Sequence, residues 1–116
     1  MANAVTLQDW QTICGESNGE VWLQNSEWYV DVSGHNKVIV RYDIMKATNV
    51  ALHLQTAKVS EKKYWRDTKT LTGADSAILT RDAGLTSEFL ENFLRWRVAS
   101  SNTNWQITFR IQLFLK

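Results

Sequence analysis

The chain has no proline, one cysteine and five glycines among 116 residues. With Cys14 alone, no internal disulfide can form, and neither a thiolate zinc site nor a redox pair can be assembled. This fits a reducing compartment, or a secreted protein that needs no staple. Without proline, turns must rest on Gly, Asn, Asp and Ser. So few glycines exclude a flexible linker or a glycine-rich array. Charge of one sign is also lacking. Thirteen basic residues face twelve acidic ones, for a net charge of +1. A balance this even exerts no long-range pull on nucleic acid or on an anionic membrane. No apolar run approaches the roughly 20 residues of a helical membrane span. The stretch from Met1 to Gln11 is polar and does not read as a secretory leader. The location stays open, with the cytoplasm expected on these grounds.

What is present points to a packed core. Hydrophobic residues make up 44% of the chain, and six are tryptophan. The length fits one domain over 1–116. Each aromatic ring buries roughly 150–250 Å². Some of the six must be core, and any surplus belongs at an interface.

The C-terminus carries the clearest pattern. Trp105, Ile107, Phe109, Ile111, Leu113 and Leu115 alternate with Gln106, Thr108, Arg110, Gln112 and Phe114. Strict period two marks a strand with one buried face. Leu94, Trp96 and Val98 likewise alternate with Arg95 and Arg97. The polar stretch Ser100 to Asn104 between the two runs predicts a hairpin with a five- or six-residue loop. Val38, Val40, Tyr42 and Ile44 form another inward set, as do Val50, Leu52 and Leu54. Shorter strands are expected at Val21–Leu23, Trp28–Val32, Lys63–Asp67, Lys69–Leu71 and Ala77–Thr80, with Ser33 to Asn36 as a turn. Leu7 to Ile13 reads as a short helix or an edge strand, and Thr86 to Asn92 as one helical turn capped by Thr86 or Ser87. Many short strands with polar turns predict an all-β fold. The expected architecture is an antiparallel β-sandwich of jelly-roll type with at most one or two short helical turns.

The outward set contains Arg41, His53, Gln55, Arg95, Arg97, Arg110 and Gln112. A solvated face has this composition, and so does a docking surface, since arginine is enriched at interfaces. Trp96 and Trp105 belong to the core on pattern. Trp10, Trp22 and Trp28 lie in less regular segments. With His35 in a loop, Trp22 and Trp28 are candidates for stacking on sugar rings or anchoring a protein contact. Lys58 to Asp67 interleaves basic residues with Tyr64 and Trp65, as single-strand nucleic-acid binders do. Its acidic interruptions and the neutral chain favour a solvated strand and turn, with Trp65 in the core.

Chemistry finds little support. His35 and His53 are the only histidines, with Asp31 and Asp43 near them in sequence. They read as a turn residue and a strand-surface residue rather than a metal or acid–base site. Cys14 lacks the base and orienting group that a nucleophile needs and reads as a partly buried, inert thiol. Glu16, Glu20, Glu27, Asp75 and Asp82 have turn-like spacing rather than that of a glycosidase pair. Gly73 to Ser76 and Asp82 to Gly84 are the places to look for calcium, but no EF-hand spacing is present. No cofactor or metal is called for.

Leu94-Arg-Trp-Arg-Val98, a short loop and Trp105 to Leu113 resemble the closing strands of discoidin-like, galactose-binding-like jelly rolls. Val50 to Thr56 followed by Tyr64-Trp-Arg-Asp67 is similar to the strand, variable turn and aromatic-Asp step of those domains. The same layout occurs in small proteins of phage and phage-tail-like particles. The resemblance spans the last two-thirds of the chain. The chain lacks the cysteine pair that brackets many discoidin domains, and no ligand residues carry over. Two functions follow as expectations. One is a non-enzymatic assembly subunit, of the phage-particle kind, that packs against itself or other particle subunits. The other is a carbohydrate-binding module with a glycan partner.

Overall fold

The computed structural model describes residues 3–59, 61–81 and 89–116. Among the described residues, nine strands build two antiparallel sheets packed face to face. They are β1 (Asn3–Gly15), β2 (Val21–Leu23), β3 (Val30–Asp31), β4 (Lys37–Thr48), β5 (Val50–Ala57), β6 (Arg66–Leu71), β7 (Ala74–Thr80), β8 (Phe93–Ser100) and β9 (Trp105–Leu115). One sheet has the order β1-β9-β4-β7. The other has β2-β8-β5-β6, with β3 also paired to β8. First pairs with last and second with second-to-last, as in the doubled Greek key of a jelly roll.

Period-two burial explains the layers. In β9 every odd residue from Trp105 to Leu115 is buried and every even one is half-buried. Val38, Val40 and Tyr42 of β4 join them from below, and Leu52, Leu54, Leu94, Trp96 and Val98 close the core from the opposite sheet. Trp96 meets Phe109 edge-to-face, with ring centroids 5.1 Å apart. Edge-to-face contact matches a ring's positive rim to its neighbour's negative face.

Three expectations change, and one open alternative is settled. The expected β8–β9 hairpin does not form. β8 pairs with β2, β3 and β5, while β9 pairs with β1 and β4. The loop at 101–104 carries the chain across the core, so Trp96 and Trp105 are buried from opposite sheets. Of the two readings of Leu7 to Ile13, the edge strand is the one that forms, as part of β1. The segments expected as strands at Trp28–Val32 and Lys63–Asp67 each begin with a single 3-10 turn, Ser26–Trp28 and Lys62–Tyr64, before a strand resumes. Asn25 caps the first of these turns, its side-chain oxygen accepting the Glu27 N–H at 3.0 Å. Cys14 is exposed rather than partly buried, because it alternates with the inward Ile13. The Asp82–Gly84 loop and the start of the helical turn expected at Thr86–Asn92 lie outside the described residues, and residues 89–92 are not helical. Of that segment, Phe89 forms a parallel bridge with Thr80.

Candidate functional site

The edge of the sandwich where β1 and β2 run side by side carries an open groove of about 510 Å³. Its apolar lining is Leu7, Trp22, Leu23, Trp28 and Trp96, and its polar lining includes Gln8, Asp9, Gln24 and Asn25. Trp22 is 46% exposed, Leu23 40% and Trp28 68%. These side chains stay uncovered because β2 is three residues long and the turn at Ser26–Trp28 buries none of its own residues. Trp22 is not free to swing, since its ring stands edge-on to the buried Trp105, with centroids 6.5 Å apart.

The groove floor is built from amides that join the two sheets. Gln24 is buried. Its Nε2 donates to the carbonyls of Leu7 at 2.7 Å and Trp28 at 3.0 Å. Its Oε1 accepts the Trp96 N–H at 3.2 Å. The Trp96 indole Nε1–H donates to Gln8 Oε1 at 2.9 Å. A buried amide is costly unless its hydrogen bonds are made, and here Gln24 uses both ends of its own. The floor is therefore rigid, while the rim is apolar and exposed. Sequence reading selected Trp22 and Trp28 but missed Gln24, whose only signal was a polar residue placed directly after an apolar strand. His35 is not part of this groove. Its N–H donates to the Val32 carbonyl and its own carbonyl accepts Arg81 Nε.

The outer face of the β5–β8 sheet holds a second cluster, and it differs from expectation. Gln55 and Arg95 do point away from the core, yet both are buried, at 7% and 5% exposure. Neither is available to a partner as it stands. The cause is an aromatic cover from the segments before β3 and β6. Trp65 lies over the Arg95 guanidinium at 4.3 Å and Tyr29 at 5.5 Å, and the two rings meet at 4.8 Å. Trp65 thus covers the outer face instead of entering the core. Arg95 Nε donates to Gln55 Oε1 at 2.8 Å, and another guanidinium nitrogen donates to the Tyr29 hydroxyl at 2.9 Å. Gln55 Nε2 passes the chain on to Asp67 Oδ1 at 2.9 Å.

Asp67 also accepts from Arg97 at 2.9 Å, and His53 Nδ1 lies 3.9 Å from the same carboxylate and 3.1 Å from Thr70 Oγ1. Burial lowers the His53 pKa; Asp67 pulls it up and Arg97 pushes it further down, leaving it below the ordinary value. For Asp67, burial acts upward, but hydrogen bonds from Arg97 and Gln55 and the charges of Arg97 and His53 outweigh it. The pair sits on an open sheet face, not in a cleft. On the opposite sheet Arg110 donates to Asp43 Oδ2 at 2.8 Å under the Trp10 ring, 4.9 Å away. Arg41 is exposed beside Ser76 and Gln112.

The basic and aromatic residues of Lys58 to Asp67 are largely engaged. Arg66 pairs with Glu91 and stacks on Phe89, and Lys63 lies over Tyr64. Among the described residues no group of three or more His, Cys, Asp or Glu is arranged to hold a metal ion.

No family model and no curated protein matches the chain. Among solved structures it is similar to the structure of infectious bursal disease virus Gx strain. The TM-score is 0.51 and the identity 8%, over 99% of this chain and 33% of that one. It is also similar to the crystal structure of the infectious bursal disease virus VP2 subviral particle, with TM-score 0.54 and 8% identity, over 99% of this chain and 32% of that one. A third structure, of Bacillus endospore appendages that form disulfide-linked pili, gives TM-score 0.46 and 12% identity, over 100% of this chain and 90% of that one. The chain spans about a third of the length of the viral proteins. The viral likeness is one of fold: a β-sandwich shared with particle-forming proteins, not specifically a discoidin-like domain.

Proposed function

We propose that this chain is a non-enzymatic structural subunit that works by packing against other protein surfaces, in a phage-like or virus-like particle. One observation carries the reading. Trp22, Leu23 and Trp28 are exposed apolar residues lining one groove at the β1–β2 edge, over a floor fixed by Gln24 and Trp96. Exposed apolar patches on small domains mark interaction sites, and tryptophans on a rigid support are typical anchors. The sandwich shared with the infectious bursal disease virus VP2 subviral particle supports the same reading at the level of fold. Arg41 and Arg110, with the partly exposed Arg97 and His53, supply polar rim on the sheet faces. Light scattering across a concentration series tests this. Particles or oligomers that dissociate when Trp22 and Trp28 are replaced by serine support it, and a strict monomer opposes it.

A second reading rests on the same groove. Trp22 and Trp28 line it together with Gln8, Asp9 and Asn25, which pairs aromatic faces with hydrogen-bonding groups, as a sugar requires. His35 has no part in it. A glycan array separates the two, since hits that vanish with Trp28→Ala would favour the carbohydrate module.

A further inference from the structure

The four sheet edges are not equally guarded. β1 is interrupted by two register shifts, between Thr6 and Gln8 and between Gln8 and Gln11. β2 is three residues long, and β6 carries Arg66, Asp67 and Lys69. Shortness, bulges and charge are the usual means of keeping an edge unpaired. β7 is neither short nor bulged, and it carries less charge than β6. It runs seven residues, Ala74–Thr80, pairs with β4 without a register shift, and holds one charge, Asp75. Its Ile78 is 49% exposed.

The direction of the β7 backbone groups follows from three hydrogen bonds. The Gly73 carbonyl accepts Ile44 N–H and Arg81 N–H donates to the Asn36 carbonyl, both toward β4. The Thr80 carbonyl points the other way and accepts Leu90 N–H at 2.7 Å. Alternation along a strand then turns the N–H and C=O of Ala74, Ser76 and Ile78 to the open side. Among the described residues no other strand pairs with them; the Ser76 N–H is held only by its neighbour's side chain, Asp75 Oδ1 at 2.8 Å, a local contact that pairing would replace.

We propose that β7 pairs antiparallel with the β7 of a second copy, about a two-fold axis through Ser76. This deepens the assembly reading by naming the partner and the element. The register is the one that pairs all three open residues and leaves Thr80 with Leu90. Ser76 faces the partner's Ser76, and Ile78 faces the partner's Ala74. Each such pair exchanges two main-chain bonds. The one charge is not opposed by its like, since Asp75 faces the partner's Ala77. On the outer face, Phe114, Ile39 and Ile78 form an apolar row across three strands, which the partner's Ala74 extends. The two Arg41 side chains flanking the axis stand three strand spacings apart, about 14 Å at ~4.8 Å each. That exceeds the screening length of roughly 8 Å at physiological salt.

Sedimentation velocity and cross-linking test this. Wild type is expected to dimerise. Ser76→Pro should leave a folded monomer, because within the molecule the lost N–H serves only the side chain of its neighbour Asp75, at an exposed edge. In a Cys14→Ser background, Ser76→Cys should cross-link on mild oxidation. Directly paired Cα atoms lie about 5.5 Å apart, within the disulfide range. Ile78→Cys should stay uncross-linked. A monomeric wild type without Ser76→Cys cross-linking overturns the proposal, as does a dimer indifferent to Ser76→Pro. If Ser76→Pro fails to fold, the cysteine pair decides. Association lost only on replacing Trp22 and Trp28 would reject β7 pairing and keep the wider assembly reading. A β7 dimer that forms nothing larger would do the reverse.

Discussion

Gly15 sits directly opposite Trp105 across the β1–β9 ladder, and the indole lies over it. A methyl group built on Gly15 would stand 2.7–2.8 Å from the ring. The ring cannot retreat, because it is buried and has Trp22 against it. Gly15→Ala is therefore expected to destabilise the fold by about 1–3 kcal/mol, the usual range for overpacking a core. A urea titration measures it. An unchanged midpoint would mean that the ring finds another place.

Arg95 holds the outer face of its sheet together. Replacing it with methionine keeps the stem but leaves Gln55 Oε1 and the Tyr29 hydroxyl without their donor. Hydrogen bonds to charged groups contribute about 1.5–3 kcal/mol each, so a loss of about 2–3 kcal/mol is expected. Arg95→Lys should recover little, since an ammonium has neither the planar fork nor the stacking surface. Near-ultraviolet circular dichroism should show Trp65 losing its fixed environment.

His53 makes stability sensitive to mild acid. Its folded pKa lies below the ordinary value of about 6.5. Above the unfolded pKa both states are neutral and nothing is lost. As pH falls through that value the unfolded state takes up the proton first, so stability declines until the folded pKa is passed. Asp67 adds a separate loss at lower pH, because its depressed pKa favours the folded state only while the unfolded carboxyl is ionised. The urea midpoint should fall between about pH 7.5 and about pH 5.5 in wild type, and His53→Gln should flatten that interval alone.

Trp28 and Phe109 provide a paired control. Trp28 is 68% exposed and Phe109 fully buried. Trp28→Ala should change stability by less than about 0.5 kcal/mol, as surface substitutions do. It should weaken whatever association the groove supports. Phe109→Ala should cost about 3–5 kcal/mol. Thermal melts and light scattering separate the two effects.

These residues also show how far the sequence can be read. The alternation of β9 was legible because burial on one side of a ribbon imposes it whatever the topology. The same alternation says nothing of which sheet a strand joins, so β8 and β9 looked like a hairpin. Their separation depends on partners far away in the chain. Arg95 and Gln55 were placed on the correct face but thought open. Their cover comes from Tyr29 and Trp65, whose irregular segments carry no period. Trp22 and Trp28 were selected for lying outside any regular pattern, whereas Gln24 beneath them could be found only once both sheets were in place.

The pairing of β1 with β9 has a consequence for the order of events in the cell. Asn3 lies beside Leu115 and Gly15 beside Trp105, so the first strand of this sandwich to be synthesised waits for its last. Until then, β1 exposes Val5, Leu7 and Ile13 with no ladder to join. Folds dominated by such distant pairings mature in milliseconds to seconds rather than microseconds. In that interval the apolar side of the first strand has no partner of its own sheet, which leaves it open to the wrong neighbour.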